Sequence, residues 1–189
     1  MAREIVHVGR RIRVAVDTLT APSGETIRRD LVLHPGAVVI LPVLDAGRVV
    51  LIRNHRFAVG ETLWEVPAGT LEPGEELGVC ARRELAEETG YTAERWTYRG
   101  FLYASPGVMD EKLHLFIAEG LTAGTARPEA DETIEPVTLP LTEAIAMCLS
   151  GEIKDAKTVT LLLMWEKLRG GGADSGGSVD PVRADHDLS

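Results

Sequence analysis

The stretch from Gly69 to Tyr91, GTLEPGEELGVCARRELAEETGY, constrains this chain more than any other. Glu84, Glu87 and Glu88 stand at i, i+3 and i+4, so a helix carries all three carboxylates on one face. Like charges at that spacing oppose one another by about 0.2–0.5 kcal/mol per pair. Gly90 is a natural residue just past a helix C-terminus. The acids therefore fall in the last turns, where the negative end of the helix dipole disfavours them. An acidic cluster on a helix is usually a solvated surface. The other reading is a site for a hard divalent cation such as Mg²⁺, which takes carboxylate oxygens and keeps waters for a phosphate ligand. Three neighbours favour the second. Arg82 and Arg83 precede the cluster, Glu75 follows a Pro-Gly turn at the predicted helix start, and Gly69 closes an apolar strand over Leu63 to Pro67.

The 189 residues suit one domain with a sizeable core. A formal net charge of −9 argues against a nucleic-acid binder. It leaves room for an anionic substrate, because a bound metal reverses the local sign. Cys80 and Cys148 form no C-x-x-C pattern and suit a reducing compartment as small apolar fillers. With no signal-peptide pattern and no membrane-spanning apolar run, the expected location is cytoplasmic, without membrane contact.

Along the chain, Arg11 to Asp17 alternates, with Ile12, Val14 and Val16 on one face and Arg11, Arg13 and Asp17 on the other. That pattern predicts a half-buried strand. After the turn signal Pro22-Ser23-Gly24, a second strand returns over Thr26 to Leu33. Ala37 to Val43 is a near-continuous apolar run, expected in a strand covered on both faces. Asp45-Ala46-Gly47 reads as a tight hairpin into Val49 to Ile52. Further strands are expected at Trp96–Ala104, Leu113–Ala118 and Ile134–Leu139. Ser105 to Glu111 and Thr122 to Thr133 read as loops. Thr142 is the expected cap of a short helix to Ser150. Val159 to Leu168, apolar around most of its circumference, is expected to be a well-buried helix. Residues 170–189 turn to Gly, Ser and Asp and are expected to be a disordered tail. Strands interleaved with three helices define an α/β class.

Gly69, Glu75, Arg83, Glu84, Leu85, Glu87, Glu88, Gly90 and Tyr91 together resemble the Nudix box, G-x5-E-x7-R-E-U-x-E-E-x-G-U, with U bulky and apolar. Every fixed position is filled; Tyr91 stands for the usual aliphatic at the last U. The resemblance implies an α/β/α sandwich with a mixed sheet over residues 36–169, preceded by an N-terminal antiparallel strand meander over residues 1–35. It also implies hydrolysis of a nucleoside diphosphate linked to another group. Flanking residues point to the ADP-ribose pyrophosphatase branch. They are Glu65-Val-Pro-Ala-Gly69, Pro106 fifteen positions beyond Tyr91 in an S-P-G context, Arg56 in a Q-x-R-like pattern with Asn54 for the glutamine, His34-Pro-Gly-Ala-Val38, and the ending Lys154 to Leu168.

What that resemblance implies is specific. Mg²⁺, or alternatively Mn²⁺, is held by Glu84, Glu87, Glu88 and the backbone carbonyl of Ala68, with Arg83 orienting the carboxylates. Glu132 is the candidate general base, with Glu129, Asp131 and Glu111 as rivals. Arg56 contacts the diphosphate, Pro106 and Gly107 shape the loop near the terminal ribose, and Arg29 and Asp30 contact the nucleoside. Similar enzymes sandwich adenine between aromatics of the N-terminal strands, but residues 1 to 56 hold no Phe, Tyr or Trp. A stacking platform would then be Arg28, Arg29 or Phe57. The N-terminal strands are expected to cross to a partner and complete its site in a homodimer. Pyrophosphatases for other sugar nucleotides, such as GDP-mannose or ADP-glucose, are the nearer alternative. A non-catalytic ADP-ribose sensor is the more distant one.

Overall fold

Ala37 to Asp45 forms strand β4, the centre of the sheet. Its residues alternate between two cores. Val39, Leu41 and Val43 face one apolar cluster, and Val38 and Ile40 face the other. A strand buried on both faces needs apolar side chains at every position, as the sequence provides. The parallel neighbour β9 (Lys112–Ala123) repeats the division. Leu115 and Ile117 join the first cluster, and Phe116 and Ala118 the second. Each fully buried side chain of this kind contributes about 1.5–3 kcal/mol.

The computed structural model describes residues 2–127 and 133–170. The candidate base Glu132, its rivals Glu129 and Asp131, and residues 171–189 of the expected tail lie outside the described residues. The remaining strands are β1 (Ala2–Val8), β2 (Arg13–Thr20), β3 (Thr26–Leu33), β5 (Arg48–Arg56), β6 (Glu61–Glu65), β7 (Ala68–Thr70), β8 (Tyr91–Tyr103) and β10 (Ile134–Pro140). The helices are α1 (Leu77–Thr89), α2 (Leu141–Ser150) and α3 (Ala156–Gly170). β1, β2 and β3 make an antiparallel sheet. The main sheet runs β10-β5-β4-β9-β8, with β6 on β5 and β7 on β4. Only β4 and β9 pair in parallel, so the sheet is mixed. α1 packs on the cluster of Val38 and Phe116, and α2 and α3 on that of Val39 and Leu115, which gives the α/β/α sandwich. No helix among the described residues is long and apolar enough to cross a membrane.

Several expectations need correction. β1 gave no clear sequence signal; it is held to β2 by Arg3, whose guanidinium donates two hydrogen bonds of 2.7 Å to Asp17. That pair also reverses the expected face of β2. Ala15 and Asp17 are buried while Ile12 is exposed, because a doubly bonded carboxylate tolerates burial. The strand ahead of the box is Glu61–Glu65, shifted from Leu63–Pro67, since Pro67 cannot donate to a ladder. Helix α2 is not capped by Thr142. Pro140 is its N-cap, without a side-chain bond. Helix α3 buries only Thr158, Leu161 and Leu162 fully, because the sheet covers one of its sides.

Candidate active site

The box forms β7, a turn and α1. Helix α1 begins at Leu77 with Glu76 as N-cap, so Glu75 lies in the turn before it rather than at its start. Gly90 ends it in the left-handed region, φ 75°. A Cβ there would lie 2.5 Å from the backbone nitrogen of Ala126, so both conformation and space require glycine.

The acids that the helix dipole disfavours gather around one cation. Arg83 donates to Glu75 through Nε (2.9 Å) and Nη2 (3.0 Å), and through Nη1 to Glu84 (2.6 Å) and Glu87 (3.0 Å). These bonds hold the Glu75 carboxyl down to about 2 and raise the guanidinium further above its ordinary value. Glu88 is 2% exposed, and its Oε2 accepts the backbone N–H of Ala68 at 2.9 Å. Gly69 packs directly against Glu84. A Cβ on it would stand 1.8 Å from the Glu84 Cδ. Burial raises the neighbouring Cys80 thiol, which suits a filler rather than a nucleophile.

Gly69, Ala68, Arg83 and Glu84 line a cavity of about 800 Å³, within the range of ligand-binding clefts. Arg56 and Glu111 line it too. Arg56 donates to Glu65 through Nε (2.7 Å) and Nη2 (2.6 Å), and neither bond uses Nη1. The Glu111 carboxylate lies 3.3 Å from His34 Nδ1.

The other expected site residues lie elsewhere. Pro106 borders a second cavity of about 290 Å³, with Tyr103 and Val32. A Cβ on Gly107 would meet open space within the chain. Arg28, Arg29 and Asp30 are exposed on β3 and do not line the large cavity of their own chain. Phe57 is exposed and does not line it.

Two groups of cavity residues escaped the sequence reading. Arg10 and Arg11 line it from the β1–β2 turn and Arg13 from the start of β2. Asp155 and Lys157 reach it from the start of α3. The run Asp155-Ala-Lys-Thr158 carried a usable signal, an Asp three residues before a Thr at the head of an apolar helix.

Residues 33–162 match the NUDIX domain, and the chain belongs to that family of hydrolases. It is 40% identical to an ADP-ribose pyrophosphatase of Bacillus subtilis (strain 168) over 160 residues, 84% of this chain and 86% of that one. It is 39% identical to a GDP-mannose pyrophosphatase of Citrobacter koseri over 156 residues, 76% of this chain and 81% of that one. A crystal structure of an ADP compounds hydrolase superposes with a TM-score of 0.78 at 26% identity, covering 91% of this chain and 94% of the other.

Proposed function

We propose that this Nudix hydrolase cleaves ADP-ribose to AMP and ribose 5-phosphate by attack of water on a diphosphate phosphorus, with Mg²⁺ as cofactor. The observation that carries this reading is the packing of Glu84 over Gly69 at the wall of a cavity that also presents Arg56. Among the described residues no three His, Cys, Asp or Glu side chains already converge as a ligand set; the Arg83 guanidinium bridges three of the carboxylates instead. The donor chemistry nevertheless fits a hard divalent cation. Glu84, Glu87, Glu88 and the Ala68 carbonyl offer oxygens, and the absence of a Cβ at Gly69 leaves space where the Glu84 carboxylate sits. When bound, such an ion neutralises the diphosphate and acidifies a water.

The chain's own residues supply the rest. Arg83 fixes the directions of Glu84 and Glu87. Arg56 offers N–H groups to phosphate oxygens, a pairing that guanidinium geometry suits. Glu132 is assigned as the base that takes the proton of the attacking water. Glu111, already at the cavity, is its rival among the described residues. Pro106 and Gly107 are assigned to the terminal ribose. Arg29 and Asp30 are assigned to the nucleoside of a partner's site in a strand-exchanged homodimer. That neither lines the cavity of its own chain supports the assignment, as do the exposed Ile5, Val6 and Val8 of β1. Light scattering should give twice the chain mass; a monomer at working concentration refutes the exchange.

GDP-mannose is the second reading. The Citrobacter koseri relative and the lack of aromatics in residues 1 to 56 favour it. The deciding experiment is Mg²⁺-dependent AMP release from ADP-ribose, with GDP-mannose and ADP-glucose alongside. Preferential cleavage of ADP-ribose supports the proposal. Preference for another sugar nucleotide overturns the substrate and leaves the reaction type standing.

A further inference from the structure

The loop from Ser105 to Glu111 is tied to the end of β3. The Val32 N–H donates to the Val108 carbonyl at 2.8 Å, and the Asp110 N–H donates to the Val32 carbonyl at 3.2 Å. One residue beyond β3, the His34 N–H donates to the Asp110 carboxylate at 2.8 Å. The Ala104 N–H donates to the Glu111 carbonyl at 3.1 Å and closes the loop at its base. The other end of this short strap reaches the box. The Gly36 carbonyl accepts the N–H of Leu71, just after β7, at 3.1 Å. Gly36 makes that turn with φ 98°, a conformation that favours glycine. Residues 32–36 therefore join the loop that ends in Glu111 to the strand that opens the box, and His34 sits between them.

His34 lines the large cavity with Glu84 and Glu111. Its side chain is 10% exposed and that of Glu111 18%, so neither is freely solvated. Nδ1 accepts the Gly36 N–H at 3.1 Å and lies 3.3 Å from Glu111 Oε1. One ring nitrogen cannot accept and donate at once. Bare, Nδ1 holds Gly36 and faces the carboxylate lone pair to lone pair. Protonated, it gives up Gly36 and donates a charge-assisted bond to Glu111. The strap fixes the ring through its own backbone, so this donor is in place before a ligand arrives. The cost of ordering a flexible glutamate is then not left to the reacting step. We propose that His34 is a positioning residue that directs the Glu111 carboxylate into the cavity through Nδ1, and that Glu111 so held contributes to turnover beside Glu132. The proposal rests on the pyrophosphohydrolase reading for the reaction that Glu111 serves, not for the contact itself.

Turnover of ADP-ribose, GDP-mannose and ADP-glucose with Mg²⁺, beside thermal melts, tests it. The proteins are wild type, His34→Phe, His34→Asn, Glu111→Gln and the double variant with His34→Phe and Glu111→Gln. His34→Phe should lower kcat about 10–100-fold and change KM less. His34→Asn, whose amide nitrogen is attached to Cγ as Nδ1 is and can donate, should recover most of the loss. In the Glu111→Gln background His34→Phe should cost less than about twofold, since a residue that acts through Glu111 has nothing left to direct. Should His34→Phe fold poorly, His34→Ala carries the same comparison. Wild-type kcat in His34→Phe, or in Glu111→Gln, overturns the proposal. So does an asparagine variant as slow as the phenylalanine one, since ring packing rather than the donor would then be at work. An equal loss from His34→Phe in both backgrounds overturns it too. Wild type that cleaves none of the three sugar nucleotides refutes the reaction, and nitrogen NMR of the histidine rings then decides the contact. The His34 Nδ1 resonance should move in Glu111→Gln; a resonance that stays in place overturns the proposal.

Discussion

Replacing Gly69 by alanine isolates the carboxylate geometry from the fold. The new Cβ would lie 1.8 Å from Glu84 Cδ, 1.9 Å from Oε1 and 2.3 Å from Oε2. Gly69 is not among the glycines with positive φ, so alanine meets no backbone strain. The atoms in the way are the far end of one side chain, and they can swing aside. Swinging aside breaks the 2.6 Å bond from Arg83 Nη1 to Glu84. One partly exposed ion pair is worth about 1 kcal/mol, which in a domain of this size lowers Tm by about 2–4 °C. Activity should suffer far more. Displacing a group in a catalytic constellation by about 1 Å can cost about a hundredfold in rate, and the clash demands at least that much. The assay is kcat/KM on ADP-ribose beside a thermal melt, with Glu84→Ala and the double variant added. If the clash with Glu84 is the cause, Gly69→Ala should cost almost nothing in Tm once Glu84 is already alanine. Wild-type kcat/KM in Gly69→Ala would refute the placement of Glu84 in the machinery. A Tm loss that persists undiminished in the Glu84→Ala background would place the damage in the backbone instead.

Glu88→Gln keeps an acceptor for the Ala68 N–H, so it should cost about 1 kcal/mol or less in stability while lowering turnover at least about a hundredfold; wild-type rates remove Glu88 from the reaction. The depressed Glu75 carboxyl has a defined pH signature. Its contribution is fully present above the unfolded value of 4.5 and is lost as pH falls through the folded value of about 2. With Arg83 partly exposed, that contribution is about 1–2 kcal/mol after screening. Urea unfolding of wild type against Glu75→Gln should show the difference narrowing between pH 4.5 and pH 2, and a constant difference would refute the linkage. Gly90→Ala forces both an unfavourable φ and a backbone clash and should cost about 2–4 kcal/mol, whereas Gly107→Ala meets open space and should leave Tm within about 1 °C. A KM change in Gly107→Ala without a Tm change would support its assignment to the ribose.

The box helix was legible because its signals are local. Acid spacing, a Pro-Gly turn and a stop glycine all fall within Gly69 to Tyr91, and the helix follows them to within two residues. The paired cores were legible from the unbroken apolar run of β4. What the sequence hid depends on distant partners. Glu65 and Lys157 are 92 residues apart, and nothing near either predicts their contact. Asp17 looked like the outer face of β2 until Arg3 covered it. Apolar residues all around α3 could not show that only one side meets the sheet. The placement of Arg10, Arg11 and Arg13 at the cavity follows from where the β1–β2 hairpin lies against the main sheet, a tertiary fact without a local trace.

Two ion clusters of opposite construction meet at this cavity, in a chain of net charge −9. In one, a single arginine is shared by three glutamates, which leaves a net charge of −2 around Arg83. In the other, Glu65 and Asp155 balance Arg56 and Lys157, and the group is neutral. The acidic cluster suits a cation. The neutral one suits an anion without the self-repulsion that unbalanced cations would bring, because its buried carboxylate holds the two cations close together. Reversing the charge of Glu65 should therefore lower Tm more than removing either cation, since Arg56 and Lys157 would then repel a third positive group and each other. Both clusters contribute residues to one cavity, an arrangement that the proposed metal-assisted diphosphate hydrolysis needs and that overall charge does not reveal.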